Sequence, residues 1–296
     1  MSTLKAWLFD DRPDTPLQAQ LGRVARDVST LLRDPIALTG LLIVALMAGV
    51  AVGATFLPVQ DPGFQALSDR LQPPSAAHWF GTDTLGRDIF SRVLSGAWPT
   101  LSIVACVLVI VLPFGVLVGI TAGHFERLDA PIMRLCDVFM AFPRIILAIA
   151  VAVTLSPGIS SAIIAIALTG WPSYARIARA EAVTLRHAEF VQAAQVIGAS
   201  SLRIMFKHIL PLCLPSAIVR ATLDASSIIL ITSGLGFLGA SVPPPQAEWG
   251  AMVAEGRDVI FEAWWVSTMP GIAILTFALG FNLLGDALRN LVDPRS

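Results

Sequence analysis

Residues 36–57 pass without a charged side chain, 22 in a row. As a helix rising about 1.5 Å per residue, such a run covers roughly 30 Å, the thickness of a bilayer's hydrocarbon core. Lipid offers no hydrogen bonds, so each backbone N–H and C=O must find its partner within the segment, and a helix provides that. No small-residue cleavage site follows a short apolar core here, so the run reads as a retained first span and not as a removed leader. Ala45, Gly49 and Gly53 give it a small-residue face suited to close helix packing.

The pattern recurs along the chain. Further apolar runs lie at about residues 100–122, 133–155, 162–174, 212–235 and 263–284, which makes six expected spans. Hydrophobic residues make up 55% of the chain and charged ones only 14%, so the class is an all-α polytopic membrane protein. The second span carries Gly115, Gly119 and Gly123, a tandem small-residue stripe that lets another helix approach closely. Pro143 should kink or break the third, and Arg144 beside it must reach the interface or face a polar cavity. Trp171 and Tyr174 at the end of the fourth are expected as an aromatic belt. In the fifth, Arg220 and Asp224 stand one helical turn apart, and mutual pairing on an inward face would offset the cost of each. Such a pair either holds the bundle together or lines the translocation path.

The polar segments set the orientation. Residues 1–35 hold Lys5, Arg12, Arg23, Arg26 and Arg33, with amphipathic spacing that predicts a helix along the membrane surface. Residues 58–98 form a long excursion. In its second half Leu85, Ile89, Val93 and Ala97 mark the apolar face of an interfacial helix, with Arg87, Asp88, Ser91 and Arg92 on the polar one. Asp88 and Arg92 are expected to pair across one turn. Residues 239–262 form another excursion. With an even number of spans both termini share a side. If that side is the cytoplasm, only Arg70, Arg87, Arg92 and Arg257 lie outside and Arg144 and Arg220 within the membrane, leaving 14 of the 20 Lys and Arg on inner segments. The positive-inside bias therefore places the termini and residues 175–211 in the cytoplasm.

Residues 175–211 are the most polar, cation-bearing stretch after the first span. Phe190, Ala193, Ala194 and Ile197 fall at i, i+3, i+4 and i+7, one stripe of a helix. Gly198 supplies the freedom of a turn, Ser200 or Ser201 can cap a second short helix, and Leu202, Met205, Phe206 and Ile209 repeat the stripe opposite Arg203 and Lys207. Pro211 should stop this second piece. Periodicity alone leaves two readings, a docking surface or a loop that covers the end of the bundle.

Other chemistries find no support. Gly234, Gly236 and Gly239 match a dinucleotide-binding spacing but follow a membrane helix, not a strand, and no GxxxxGK[ST], HExxH or GxSxG occurs. Cys106, Cys136 and Cys213 lie far apart in apolar surroundings and read as small hydrophobes. His78, His124, His187 and His208 share no metal-ligand spacing. No cofactor, no metal and no nucleic-acid partner is expected. A channel or secondary carrier working alone is a third class of reading, though no span repeats a ring-forming polar pattern.

Gln192-Ala193-Ala194, three residues, Gly198, nine residues and then His208-Ile209-Leu210-Pro211 resemble the EAA cytoplasmic loop of permease subunits of binding-protein-dependent ABC importers. That motif has Glu where Gln192 stands and Ile where His208 stands. Gln keeps the size and the hydrogen bonding of Glu but not its charge. Residues 78–92 (HWFGTDTLGRDIFSR) and 236–253 (GFLGASVPPPQAEWGAMV), with the last span, resemble the second permease of the dipeptide/oligopeptide/nickel group. The resemblance implies the type I importer permease fold in residues 36–296. It also implies a coupling site at Phe190, Gln192, Ala193, Ala194, Ile197, Gly198, Arg203, Leu210 and Pro211. The implied partners are a second homologous permease, two cytoplasmic ATPases and an extracytoplasmic solute-binding protein, in a bacterial or archaeal cytoplasmic membrane. The implied cargo is di- or oligopeptides, with nickel or another metal chelate as the alternative. The chain itself, lacking a nucleotide site, would not be an enzyme.

Overall fold

A computed structural model describes residues 15–54 and 60–292, which are helical with no strands among them. Lys5, Arg12, Pro58 and Arg295, which entered the sequence reading, lie outside the described residues. The first helix, α1 (Pro16–Leu31), occupies the expected amphipathic stretch and packs on the last helix of the chain. α2 (Pro35–Gly53) begins where Asp34 accepts a hydrogen bond from the Ile36 N–H at 2.9 Å, with Pro35 in the first turn, where its missing donor costs nothing.

α3 (Ile89–His124) is 36 residues long, about 54 Å of helix. The expected interfacial helix and second span are thus one continuous rod. Its cap is Asp88, which accepts from the Ser91 N–H at 2.8 Å and the Ser91 hydroxyl at 2.7 Å. The chain then turns into α4 (Glu126–Met140), breaks before Pro143, and resumes as α5 (Arg144–Val153) at 84° to it. Pro143 does what its fixed φ and missing N–H require. α6 (Ile159–Leu185), α7 (Glu189–Val196) and the short α8 (Ser201–Ile204) follow. A π-turn at Met205–Ile209 leads into α9 (Leu210–Phe237), then come α10 (Trp249–Gly256) and α11 (Trp265–Val292).

Among the described residues four helical stretches are long and apolar enough to cross a membrane: α2, α3, residues Ser201–Phe237 and α11. The bent α4–α5 pair would make a fifth. α6 has the length at 27 residues but not the hydropathy, because Ser160, Ser161, Pro172 and Ser173 dilute its first part and Arg176, Arg179 and Glu181 its second.

The packing corrects several expectations. α3 and α6 share the most extensive contact in the molecule, and the glycine stripe lies at its centre. A Cβ on Gly119 would sit 2.2 Å from the Ala175 carbonyl oxygen, and one on Gly123 2.7 Å from the Ala182 Cβ. Trp171 and Tyr174 are buried under this contact, not exposed as a belt, because α6 runs three turns beyond them. On the small face of α2, Ala45 is exposed and a Cβ on Gly49 or Gly53 would meet nothing among the described residues. α2 instead seats Gly40 against α11. Pro211 does not stop the second short helix of residues 175–211. The π-turn just before it places the Leu210 N–H on the Met205 carbonyl, one residue farther back than an α-helix would, and the chain enters α9 without a break.

The segment leading into α3 is the largest departure. Arg87, Arg92 and Asp83 are buried, not on the wet side of an interfacial helix. Arg87 Nε donates to Asp83 Oδ2 at 2.6 Å and its Nη2 to Glu255 Oε2 at 2.7 Å. Arg92 approaches the same Glu255 at 3.3 Å and Asp83 at 3.5 Å, and does not pair with Asp88. This network clamps the 78–92 segment to α10, helped by Trp265 Nε1 on the Thr82 carbonyl and Trp249 Nε1 on that of Val93. Glu248 caps α10 through the N–H groups of Gly250 and Ala251, both at 2.9 Å. Burial pushes its carboxyl up against the pull of those bonds.

Gly119→Leu should separate α3 from α6 and lower the melting temperature of the purified chain by several degrees, an overpacking cost of about 1–3 kcal/mol. Gly49→Leu, with open space around it, should leave the melting temperature unchanged. Equal effects at the two sites would remove the glycine stripe from the account.

Candidate functional site

Two clusters of polar and exposed apolar groups stand out, one at an end of the bundle and one inside it. The first is built from α7, α8 and the π-turn. α7 ends in a Schellman arrangement, with Ala199 N–H on the Ala194 carbonyl at 3.0 Å and Gly198 N–H on that of Gln195 at 2.9 Å. Gly198 takes φ +89°, a left-handed conformation that favours glycine. Ser200 then caps α8 by accepting from the Arg203 N–H at 3.4 Å.

The two stripes expected from periodicity divide between two faces. Val191, Ile204, Met205 and Ile209 are buried with Val116, Ile120, Ala178, Ala182, Cys213 and Ala217, a second hydrophobic cluster that roots the element on α3, α6 and α9, and Ala194 packs at its edge. Phe190, Ala193, Ile197, Leu202 and Phe206 point away from it, and Val196 and Ile197 are 89% and 86% exposed. The expected Leu202–Met205–Phe206–Ile209 stripe is therefore split, with Met205 and Ile209 inside and Leu202 and Phe206 outside. Arg203 and Pro211 are exposed and Leu210 half-buried. Gln192 donates to the His187 carbonyl at 3.1 Å and lines a groove of about 710 Å³ with His124, Glu126, Arg186 and Gln195.

The cations of residues 175–186 do not form a loop. They sit on the last turns of α6 and bind the acids of α4. Arg179 meets Asp129 through Nε at 2.8 Å and Nη2 at 2.5 Å, Arg186 meets Glu126 at 3.1 Å, and Arg176 bonds Asp137. Bidentate Arg–carboxylate geometry fixes direction as well as distance, so the end of α6 and α4 move as a unit.

The second cluster lies along the apolar helices. Asp224 on α9 is 1% exposed, and its nearest cation is not Arg220. Arg144, at the start of α5, donates from Nη1 to Asp224 Oδ1 at 2.7 Å, and the Tyr174 hydroxyl donates to Oδ2 at 3.2 Å. Arg220 stands at 3.9 Å from Oδ1 with its side chain 41% exposed. The expected i,i+4 contact is thus present but secondary, because a side chain from another helix reaches the carboxylate at shorter range. The sequence flags Arg144 without its partner and gives Tyr174 the look of a belt residue. The available signal is a single acid and a stray cation, both deep in apolar segments, which must find opposite charge within the bundle.

Comparison with known proteins fits this geometry. Residues 112–296 match the family described as "Binding-protein-dependent transport system inner membrane component". The chain is similar to the Probable D,D-dipeptide transport system permease protein DdpC of Escherichia coli (strain K12), at 43% identity over 92% of each chain. It is also similar to the Di/tripeptide transport system permease protein DppC of Pseudomonas aeruginosa (strain UCBPP-PA14), at 43% over 88% of each. The Nickel transport system permease protein NikC of Escherichia coli (strain K12) is 40% identical over 86% of this chain and 92% of its own. Among solved structures, an inward-facing MetNI methionine ABC transporter chain superposes with a TM-score of 0.57 at 19% identity, covering 69% of this chain and 97% of that one, a likeness of fold.

Removing one member of a buried ion pair leaves an uncompensated charge, at about 3–5 kcal/mol. Asp224→Asn and Arg144→Gln should each lower the melting temperature of the purified protein markedly, while the double variant should recover much of the loss. Strictly additive losses would show that the pair does not hold α5 to α9.

Proposed function

The chain belongs to the family of binding-protein-dependent transport system inner membrane components, and we propose that it is one of two homologous permeases in an ABC importer of di- or oligopeptides. In this reading two cytoplasmic ATPases and an extracytoplasmic solute-binding protein complete the machine, and ATP hydrolysis resides in the ATPases. Six spans with both termini in the cytoplasm fit the excess of Lys and Arg on one side. The third span would then be the bent α4–α5 pair and the fourth α6. Residues 1–35 form a cytoplasmic segment, 36–296 the permease domain, 58–98 and 239–262 its outer loops, and 175–211 its coupling region.

The observation that carries the proposal is the two-faced element at α7–α8. Exposed apolar side chains cost free energy in water unless a partner covers them, and here Phe190, Val196, Ile197, Leu202 and Phe206 stand on a base that is itself packed. A socket on an ATPase subunit would seat Phe190, Ala193 and Ile197, with Gln192 and Arg203 at its rim and Gly198 setting the angle between the two short helices. Ala194, Leu210 and Pro211 act from below by holding the element to α9. Closure of the ATPases would then push on α3, α6 and α9 through Val191, Ile204 and Ile209, and not on a slack loop. A nickel or other metal-chelate cargo is the second reading, favoured by the similarity to a nickel permease.

Purified importer in proteoliposomes should accumulate radiolabelled dipeptide only with ATP and the binding protein. Uptake of nickel in its place would transfer the cargo to the second reading, and uptake by this chain alone would refute the importer. Gly198→Pro cannot adopt the required φ. It should insert normally yet lose most uptake while the ATPases still hydrolyse ATP, and normal uptake by that variant would sink the coupling role. Ile197→Asp, on a fully presented side chain, should weaken co-purification of the ATPase subunits without changing the melting temperature of the isolated permease.

A further inference from the structure

Three ionised groups meet inside the bundle, and their charges do not cancel. Asp224 is already neutralised on one side by Arg144 at 2.7 Å and bonded by Tyr174 at 3.2 Å. Arg220 is left over. It makes no hydrogen bond among the described residues, its Nε is buried without a partner, and its one ion contact is 3.9 Å long. It stands eight residues into the apolar run 212–235, about 12 Å of helix from the inner end of that run, where a surplus cation is costly.

Arg220 also faces space. With Asp224, Ser226, Ser227 and Asn282 it lines a pocket of about 340 Å³ open at one side, and Ser226 and Asn282 are joined at 2.7 Å across α9 and α11. A guanidinium flanked by hydroxyls and an amide is a fit for a carboxylate, which takes two parallel N–H bonds from one arginine. We infer that Arg220 receives the carboxylate of the peptide in transit, holding it in the bundle between release by the binding protein and delivery inside. The inference rests on the reading of the chain as a peptide-importing permease and adds a contact within it. Arg144 fixes Asp224 so that the aspartate does not claim Arg220, and the surplus charge stays available to cargo.

The test uses the assembled importer in lipid nanodiscs without nucleotide. Phenylglyoxal modifies accessible arginines, and mass spectrometry of peptides follows Arg220, with the exposed Arg257 as reference. N-acetylalanine should slow modification of Arg220 severalfold and leave Arg257 unchanged, while N-acetylalaninamide, the same molecule without the charge, should protect neither. Equal protection by both compounds or by neither overturns the inference. Failure of phenylglyoxal to reach Arg220 at all would mean that the second permease covers it, and overturns it equally. In proteoliposomes Arg220→Gln should lower dipeptide uptake about tenfold, the loss of a charge-assisted bond, and Arg220→Lys should lower it less. Assembly and ATP hydrolysis should persist in both. Loss of assembly in Arg220→Gln would assign the residue to a subunit contact, and unchanged uptake would deny it any part in transport. Absence of dipeptide uptake by the unaltered importer would instead refute the cargo reading, and the protection result would still decide whether Arg220 binds carboxylates.

Discussion

A carboxylate 1% exposed among apolar helices fixes much of how this bundle is assembled. Asp224 cannot stay ionised there without a cation and further donors, and the chain supplies them from two other helices, Arg144 at the head of α5 and Tyr174 in the middle of α6. The break at Pro143 becomes intelligible in this light. A straight α4–α5 helix would carry Arg144 along its own axis, whereas the 84° bend turns the first residue of α5 towards α9. Gly170 on α6 lies where any side chain would strike the guanidinium, since a Cβ there would be 2.6 Å from Arg144 Nη2. Proline, glycine and ion pair are parts of one arrangement.

The α3–α6 contact serves a different need. Where the glycine stripe lets the two backbones close up, the helices cannot slide independently without opening voids in a close-packed interface. The same pair continues to the end of the bundle that carries α7 and α8, where Arg176, Arg179 and Arg186 tie α6 to α4 and the second hydrophobic cluster ties α6 and α3 to α7, α8 and α9. Movement applied to the exposed face of α7 would therefore be shared by four long elements at once.

Much of this was legible in the sequence, and the misses have a common cause. Apolar runs fixed where helices lie, the spacing of Gly115, Gly119 and Gly123 announced a close helix partner, and Gly198 and Ser200 marked a turn and a cap that the backbone confirms. Those are local signals. What spacing ranked wrongly was the first partner of a buried charge. Asp88 and Arg92 satisfy an i,i+4 rule, yet Arg92 turns to Asp83 and to Glu255, more than a hundred residues away. Arg220 satisfies the same rule with Asp224 and is outbid by Arg144. In apolar surroundings a buried charge seeks the best-aligned counter-charge in space, and sequence distance carries no weight in that competition. The helix ends erred for a related reason. α6 outruns its apolar stretch because ion pairs with α4 stabilise three further turns that hydropathy alone would have surrendered to solvent.

The α7–α8 element shows the limit of periodicity in a sharper form. Phe190, Ala193, Ala194 and Ile197 fall on one side of a helix by spacing, but a helix lying across the end of a bundle presents one apolar face to the bundle beneath and another away from it. The stripe pattern describes their sum. Met205 and Ile209, one helical turn apart, root the element, while Leu202 and Phe206, likewise one turn apart, stand free. The π-turn at Met205–Ile209 runs without a break into α9, on which Asp224 and Arg220 ride, so the helix that carries the ion pair also supports the exposed face at the end of the bundle.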